Sequence, residues 1–503
     1  VASTKSCVES RGERVNERIR RLTIAFVVLF GVLFIQLSMW QVVRRDELVQ
    51  DSRNNVVDRE KFNSPRGRIV TADAVVIAET VRKDSGEFQW QRVYAQGDLY
   101  PHITGYYTLS FGTTQLEHLH RRLLSADTPG AVQVTLRDDL QQLAKRALAG
   151  RVGSVVAVDT RTGGVLAMYS NPSYDPNLVA QHDGAAALEY LQALQADPEK
   201  PLLGNAFQER YMPGSTFKIL TTAIGLETGK MTTASTFPDE RAWVPPNTNR
   251  PIRNYDGRVC GGDLAEVFRR SCNIPFAKTA VEIGPSEMVA GVKRFALGQR
   301  LPIDLQGAAS STFGGEAADF ENSLALLAIH GFGQGGVQMV PLHMAMISAS
   351  VANGGQMLEP HVTAQTLRDD STLVVANGSL TYDPADVVST TQPTPWRRTM
   401  APETAATLTD LMIGVTESGT AACCLQIPGV KIAAKTGTAQ LNPEGEQERS
   451  HAWITAFAPA DAPRIAVAVM LKGTTDEISA GTGGRLAGPV ARELLQKALQ
   501  VVP

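Results

Sequence analysis

Residues 22–43, LTIAFVVLFGVLFIQLSMWQVV, run for 22 positions without a charged side chain. As a helix rising about 1.5 Å per residue, that length spans the roughly 30 Å hydrocarbon core of a bilayer. A buried core helix is the competing reading, but such helices are usually shorter and keep a polar face. Gln36, Ser38 and Gln41 gather towards one end, and Trp40 suits a membrane interface. The run exceeds the apolar region of a signal peptide, and no small-residue cleavage site follows it. It predicts a retained signal anchor. Lys5, Arg11, Arg14, Arg18, Arg20 and Arg21 precede it, and Arg44, Arg45, Arg53, Arg59 and Lys61 follow. Charge alone therefore gives only a thin preference for direction.

The whole chain of 503 residues is too long for one ordinary domain. A formal charge of −3 gives no electrostatic reason to expect nucleic acid. The five cysteines, Cys7, Cys260, Cys272, Cys423 and Cys424, form no Cys-x-x-Cys pair, and with eight His residues a zinc site is not expected. Organisation changes along the chain. Residues 1–21 form a tail, 22–43 the transmembrane anchor, and 44–150 a region of short β-like runs closed by the amphipathic helix RDDLQQLAKRALAG. Residues 151–503 open with SVVAVDTRTGGVLAMYS, two buried strands around a Gly turn. Helical stretches dominate 215–355, and VKIAAKTGTAQL, HAWITAFA and RIAVAVML restore strands before a last helix. The expected fold class is α/β (α+β), an antiparallel five-stranded sheet flanked by helices.

Three short motifs fall on these elements. Ser215-Thr-Phe-Lys218 is the only Ser-x-x-Lys in the chain. Ser215 could be a simple helix cap. Three-residue spacing on a helix also stacks Ser and Lys on one face, and burial lowers a Lys pKa until it can serve as a base. Ser271-Cys272-Asn273 follows the helical stretch DLAEVFRR and is weak alone, since Ser52-Arg53-Asn54 repeats its pattern. Lys435-Thr436-Gly437-Thr438 lies within an apolar strand. There Gly437 is either an ordinary bulge glycine or a place where a substrate chain approaches the backbone. Ser-x-x-Lys, Ser-x-Asn and Lys-Thr-Gly in this order are the signature of penicillin-binding proteins and related β-lactamases, and together they turn the cap into a nucleophile.

The chain resembles the class B penicillin-binding proteins, closest to the actinobacterial penicillin-binding protein A group. NSPRGRIV (63–70) and GYYTLSFGTTQLE (105–117) resemble segments of that family's pedestal, or dimerisation-type, domain. GFGQGGVQMVPLHMAMISASVANGG (331–355) resembles its stretch beyond the second motif. The resemblance implies a serine-type peptidoglycan D,D-transpeptidase. Ser215 would attack the penultimate D-Ala carbonyl of a stem peptide, Lys218 would take its proton, and Ser271 would relay a proton to the leaving amine. Asn273 would bind the substrate amide, and Lys435, Thr436 and Thr438 its carboxylate. The backbone N–H groups of Ser215 and Thr438 would form the oxyanion hole. Lys435 would also keep Lys218 neutral. No metal or organic cofactor is implied. The implied partners are stem peptides, their lipid-linked precursor, β-lactams, and membrane glycosyltransferase, divisome or elongation proteins. Residues 44–503 would be extracytoplasmic, with no room for a glycosyltransferase domain.

Two other outcomes share the motifs. One is hydrolysis by a D,D-carboxypeptidase or β-lactamase, but no deacylating Glu in a Glu-x-x-Leu-Asn setting follows Ser271. The other is a β-lactam sensor or scaffold, which usually carries further spans and a cytoplasmic effector. Cys260 and Cys272 close a short loop that ends within the Ser-Cys-Asn motif. They are either bridged, fixing that turn, or two reduced buried thiols. Cys423 and Cys424 are adjacent and are expected to stay reduced.

Overall fold

A computed structural model describes residues 3–44, 47, 59–376, 378–442 and 449–502, with side chains from residue 19 onward. The side chain of Cys7 and the Ser52-Arg53-Asn54 look-alike lie outside the described residues. The chain divides into an N-terminal helix and one large unit after it.

The N-terminal helix runs Ser3–Ser38 and continues as a π-helical turn, Met39–Val43. Its segment Ile19–Val43, 25 residues whose 18-residue apolar window has a mean hydropathy of 2.4, is long and apolar enough to cross a membrane.

In the large unit, five strands form one sheet. They are β1 (Gly153–Asp159), β2 (Val165–Asn171), β3 (Ala433–Gln440), β4 (Ser450–Ala458) and β5 (Ile465–Leu471). Their order is β3-β4-β5-β1-β2, and every pairing is antiparallel. β1, β4 and β5 are buried at every position, which is why they read as unbroken apolar runs without alternation. Helix Pro341–Ala352 packs on β5 and β1, and the last helix, Gly488–Val501, covers β5 and β4. Helix Pro402–Glu417 lies against β3, which forms one edge of the sheet.

A second, six-stranded sheet runs in the order Val387–Thr390, Thr363–Leu367, Ala131–Val134, Ile69–Val70, Val76–Arg82, Trp90–Val93. Two of its strands thus come from 363–390, which the sequence boundary at 150 keeps with the second half of the chain. Beside this sheet sits a buried ion cluster. Arg66 Nε donates to Glu117 Oε2 at 2.6 Å and Arg92 Nε to Glu117 Oε1 at 2.7 Å, with no side chain in the group more than 2% exposed. Arg66 comes from NSPRGRIV and Glu117 from GYYTLSFGTTQLE, so the two family-like segments meet here. Burial pushes the Glu117 carboxyl up, but Arg92 and Arg66 outweigh it and hold it below its ordinary value. Glu117→Gln would leave two buried guanidinium groups without a counter-charge. The expected cost is about 3–5 kcal/mol, read as a lower midpoint in denaturant unfolding. An unchanged midpoint would show that the cluster adds nothing to stability.

Candidate active site

Ser215 lies in a 3-10 turn, Gly214–Phe217, that runs directly into helix Lys218–Glu227. Neither element is capped by a side chain, so Ser215 is not a helix cap. In 3-10 geometry residues three apart eclipse each other, which places Ser215 and Lys218 on the same line more directly than an α-helix would. The turn is held from behind, where Gly214 N donates to Gly333 O at 2.9 Å and Thr221 Oγ1 to Gly331 O at 2.7 Å. The glycine-rich stretch after the second motif therefore acts as a backing for the turn.

The turn also packs on β3. A Cβ added at Gly437 would lie 2.5 Å from Pro213 O and 3.0 Å from Thr216 Cγ2, and one at Gly214 would lie 2.5 Å from Thr438 O. The close neighbour that requires Gly437 is therefore the Ser215 turn. Neither a bulge nor a substrate is needed to explain the glycine. The same contact brings the backbone beside Ser215 against Thr438, as an oxyanion hole built from both would require.

Lys218 is fully buried. Its Nζ donates to Ser271 O at 2.8 Å and Asn273 Oδ1 at 2.9 Å, with Ser271 Oγ at 3.4 Å. Burial, reinforced by the charge of Lys435, holds its pKa well below the ordinary value. A neutral amine has two N–H groups. In that form both would have fixed acceptors here, Ser271 O and Asn273 Oδ1, which would leave the lone pair free to take a proton. Lys435, equally buried, donates to Ser271 Oγ at 2.7 Å and to Thr436 O at 3.2 Å, and burial draws its pKa down to about 7. The Phe276 and Phe268 rings lie 5.3 and 5.6 Å from the Nζ atoms of Lys218 and Lys435 respectively. Lys218, Ser271, Asn273 and Lys435 thus form one hydrogen-bonded cluster beside Ser215.

Thr436 and Thr438 have partners outside the cluster. The Oγ1 atoms of Thr436 and Thr420 lie 2.6 Å apart, and Gly483 N reaches Thr438 Oγ1 at 3.5 Å. The sequence reading missed three supports of the site: Thr420, Trp453, whose Nε1 donates to Met212 O at 3.0 Å, and Asn254, which holds Asn273 N at 2.8 Å. None of the three belongs to a motif, and their partners are remote in sequence.

Cys260 and Cys272 are bridged, with Cα atoms 5.8 Å apart. The expectation for Cys423 and Cys424 is corrected, because they too are joined, with Cα atoms 3.8 Å apart. That distance is the ordinary spacing across a trans peptide, so no backbone had to be drawn together. The tight turn in which Cys424 N and Leu425 N both donate to Ala421 O brings the adjacent side chains together.

A family model described as the penicillin binding protein transpeptidase domain matches residues 153–496. The chain belongs to that family. A second model, the penicillin binding protein A dimerisation domain, matches residues 66–148. Among relatives, the peptidoglycan D,D-transpeptidase PbpA of Mycolicibacterium smegmatis is 35% identical, over 97% of this chain and 99% of its own. PbpA of Mycobacterium tuberculosis is 34% identical, over 97% of this chain and 100% of its own. The structure of penicillin-binding protein A from M. tuberculosis as a ceftriaxone acyl-enzyme complex superposes with a TM-score of 0.78 at 31% identity. It covers 88% of this chain and all of that one. The transpeptidase-family match spans the five-stranded sheet and all three motifs.

Proposed function

We propose that this chain is a peptidoglycan D,D-transpeptidase that works through a Ser215 acyl-enzyme and is acylated by β-lactams. Lys218 takes the Ser215 proton as Oγ attacks the penultimate D-Ala carbonyl. The new ester bond forms, and the C–N bond to the terminal D-Ala breaks. The proton reaches the departing amine through Ser271, which lies between Lys218 and Lys435. Asn273 holds the substrate amide. Lys435, Thr436 and Thr438 hold the carboxylate, and Gly437 lets β3 lie against the Ser215 turn. The N–H groups of Ser215 and Thr438 receive the oxyanion. An amine of a neighbouring stem peptide then attacks the ester carbonyl: the new amide bond forms, the bond to Ser215 Oγ breaks, and the proton the amine loses passes by way of Lys218 to Ser215 Oγ. The observation that carries this reading is the fully buried Lys218 Nζ held between Ser271 O and Asn273 Oδ1.

Peptidoglycan lies outside the membrane, so we place the large unit on that side, anchored by the N-terminal span. Both disulfides fall after the anchor, in keeping with an oxidising compartment. We take residues 44–150 as the pedestal and 151–503 as the transpeptidase domain, working beside a membrane glycosyltransferase of the division or elongation machinery. The full chain incubated with lipid-linked muropeptide and a polymerase should yield cross-linked dimers and free D-Ala. Release of D-Ala without cross-links would make it a carboxypeptidase, and neither product would leave it a sensor or scaffold.

A further inference from the structure

Ser271 has a φ of 60°, in the left-handed region that residues other than glycine rarely adopt. The position closes helix Leu264–Arg269, with Ser271 N donating to Phe268 O at 3.1 Å and Cys272 N to Val267 O at 3.0 Å, a left-handed helix ending. Two further ties reach the residues that follow. One is the Cys260–Cys272 bridge. The other is Asn254, a side chain only 4% exposed.

Asn254 Oδ1 accepts from Asn273 N at 2.8 Å and from Ile274 N at 3.2 Å. Its Nδ2 donates to Glu240 O at 2.8 Å and to Arg258 O at 3.2 Å. Both lone-pair sites and both N–H groups of the amide are thereby used. The amides it accepts from open helix Ile274–Ile283, whose N-cap residue Asn273 makes no side-chain cap of its own. Asn273 instead spends its side chain elsewhere, with Oδ1 on Lys218 Nζ and Nδ2 on Arg253 O at 3.1 Å.

We propose that Asn254 is a positioning residue for acylation: it fixes the Ser271–Asn273 backbone so that Ser271 O and Asn273 Oδ1 engage both N–H groups of Lys218. The proposal rests on the roles assigned above to Ser215, Lys218, Ser271 and Asn273. If Asn254 is lost, the turn relaxes and Lys218 loses two fixed acceptors. Water then reaches the amine, and it gains a proton more readily. Lys435 is the charged group that acts on Lys218, and it is unchanged by the substitution.

The test is penicillin acylation of the full chain in detergent, resolved into a noncovalent dissociation constant and an acylation rate constant across pH. Asn254→Ala should lower the rate constant by roughly ten- to a hundredfold, the scale expected of a misplacement near 1 Å. The dissociation constant should hardly move, and the acidic limb of the rate profile should shift to higher pH. Asn254→Ser carries the same measurement if the Ala variant does not fold. A lower melting temperature with an unchanged rate constant and pH profile would overturn the proposal. Asn273→Ala separates the two layers. If it acylates normally, the site reading itself is wrong. If it is slow while both Asn254 variants acylate normally, only the positioning role fails.

Discussion

Ser215→Ala will abolish the covalent penicillin adduct while leaving the fold intact. Intact-mass measurement of the full chain should show a single adduct in the parent protein and none in the variant. Acylation should fall by at least about 10³-fold, because no other group can form the acyl bond. Stability should hardly change. Ser215 is half-buried, caps neither its turn nor the following helix, and gives up only one hydroxyl. The surrounding cluster also stands without it, since Lys218, Ser271, Asn273 and Lys435 are bonded to one another. That independence makes the result informative, because loss of the adduct then reports the nucleophile and not collapse of the site. An adduct that persists on Ser215→Ala would move the chemistry to another residue and end the assignment.

The five-stranded sheet was legible because its strands are buried on both faces and so appear as apolar runs bounded by turns. The membrane-length helix was legible for a similar reason, as one uninterrupted run. What stayed hidden depends on pairings between distant segments. The strands Thr363–Leu367 and Val387–Thr390 join the sheet of the N-terminal region, with Thr363 opposite Val134, and nothing local in either run specifies that partner. The paired strands Ala242–Trp243 and Ile252–Arg253 are two residues each, too short to show alternation. They belong to the excursion that ends in Asn254 and Cys260. In sequence, Asn254 before Tyr-Asp-Gly looks like a turn residue. Only the fold shows that it reaches 19 residues onward to the Ser271–Asn273 turn.

Gly437 is a subtler case. The sequence offered a bulge or an approaching substrate chain as the reason for this glycine, but the close neighbours are Pro213 and Thr216 of the turn that carries Ser215. The first and third motifs are thus packed backbone to backbone. A residue with a Cβ at 437 would displace Ser215 before any substrate arrived. The vicinal cysteines were misread because ring closure was judged on two isolated residues, without the turn that holds them.

Lys218→Arg and Lys435→Arg should differ sharply, although each exchanges one cation for another. In the proposed mechanism Lys218 is a neutral base, and Arg cannot be deprotonated in a protein, so Lys218→Arg should slow acylation by at least about 10²-fold at every pH. In the same proposal Lys435 is a cation for the carboxylate, and Arg keeps that charge, so Lys435→Arg should retain measurable acylation. Their pH dependence separates them further. Burial draws Lys435 down to about 7, so the group is charged below that pH and neutral above it. Noncovalent binding of penicillin should therefore weaken as pH rises through about 7 in the parent protein. In Lys435→Arg the charge persists, and binding should stay level over the same range. Lys218 keeps a pKa well below the ordinary lysine value, because burial and then the neighbouring charge of Lys435 both disfavour its protonated form. Stopped-flow acylation of both variants, compared at equal folded fraction, decides the matter. Equal losses in the two would argue against a neutral base at 218, and level binding in the parent protein would argue against Lys435 as the titrating cation.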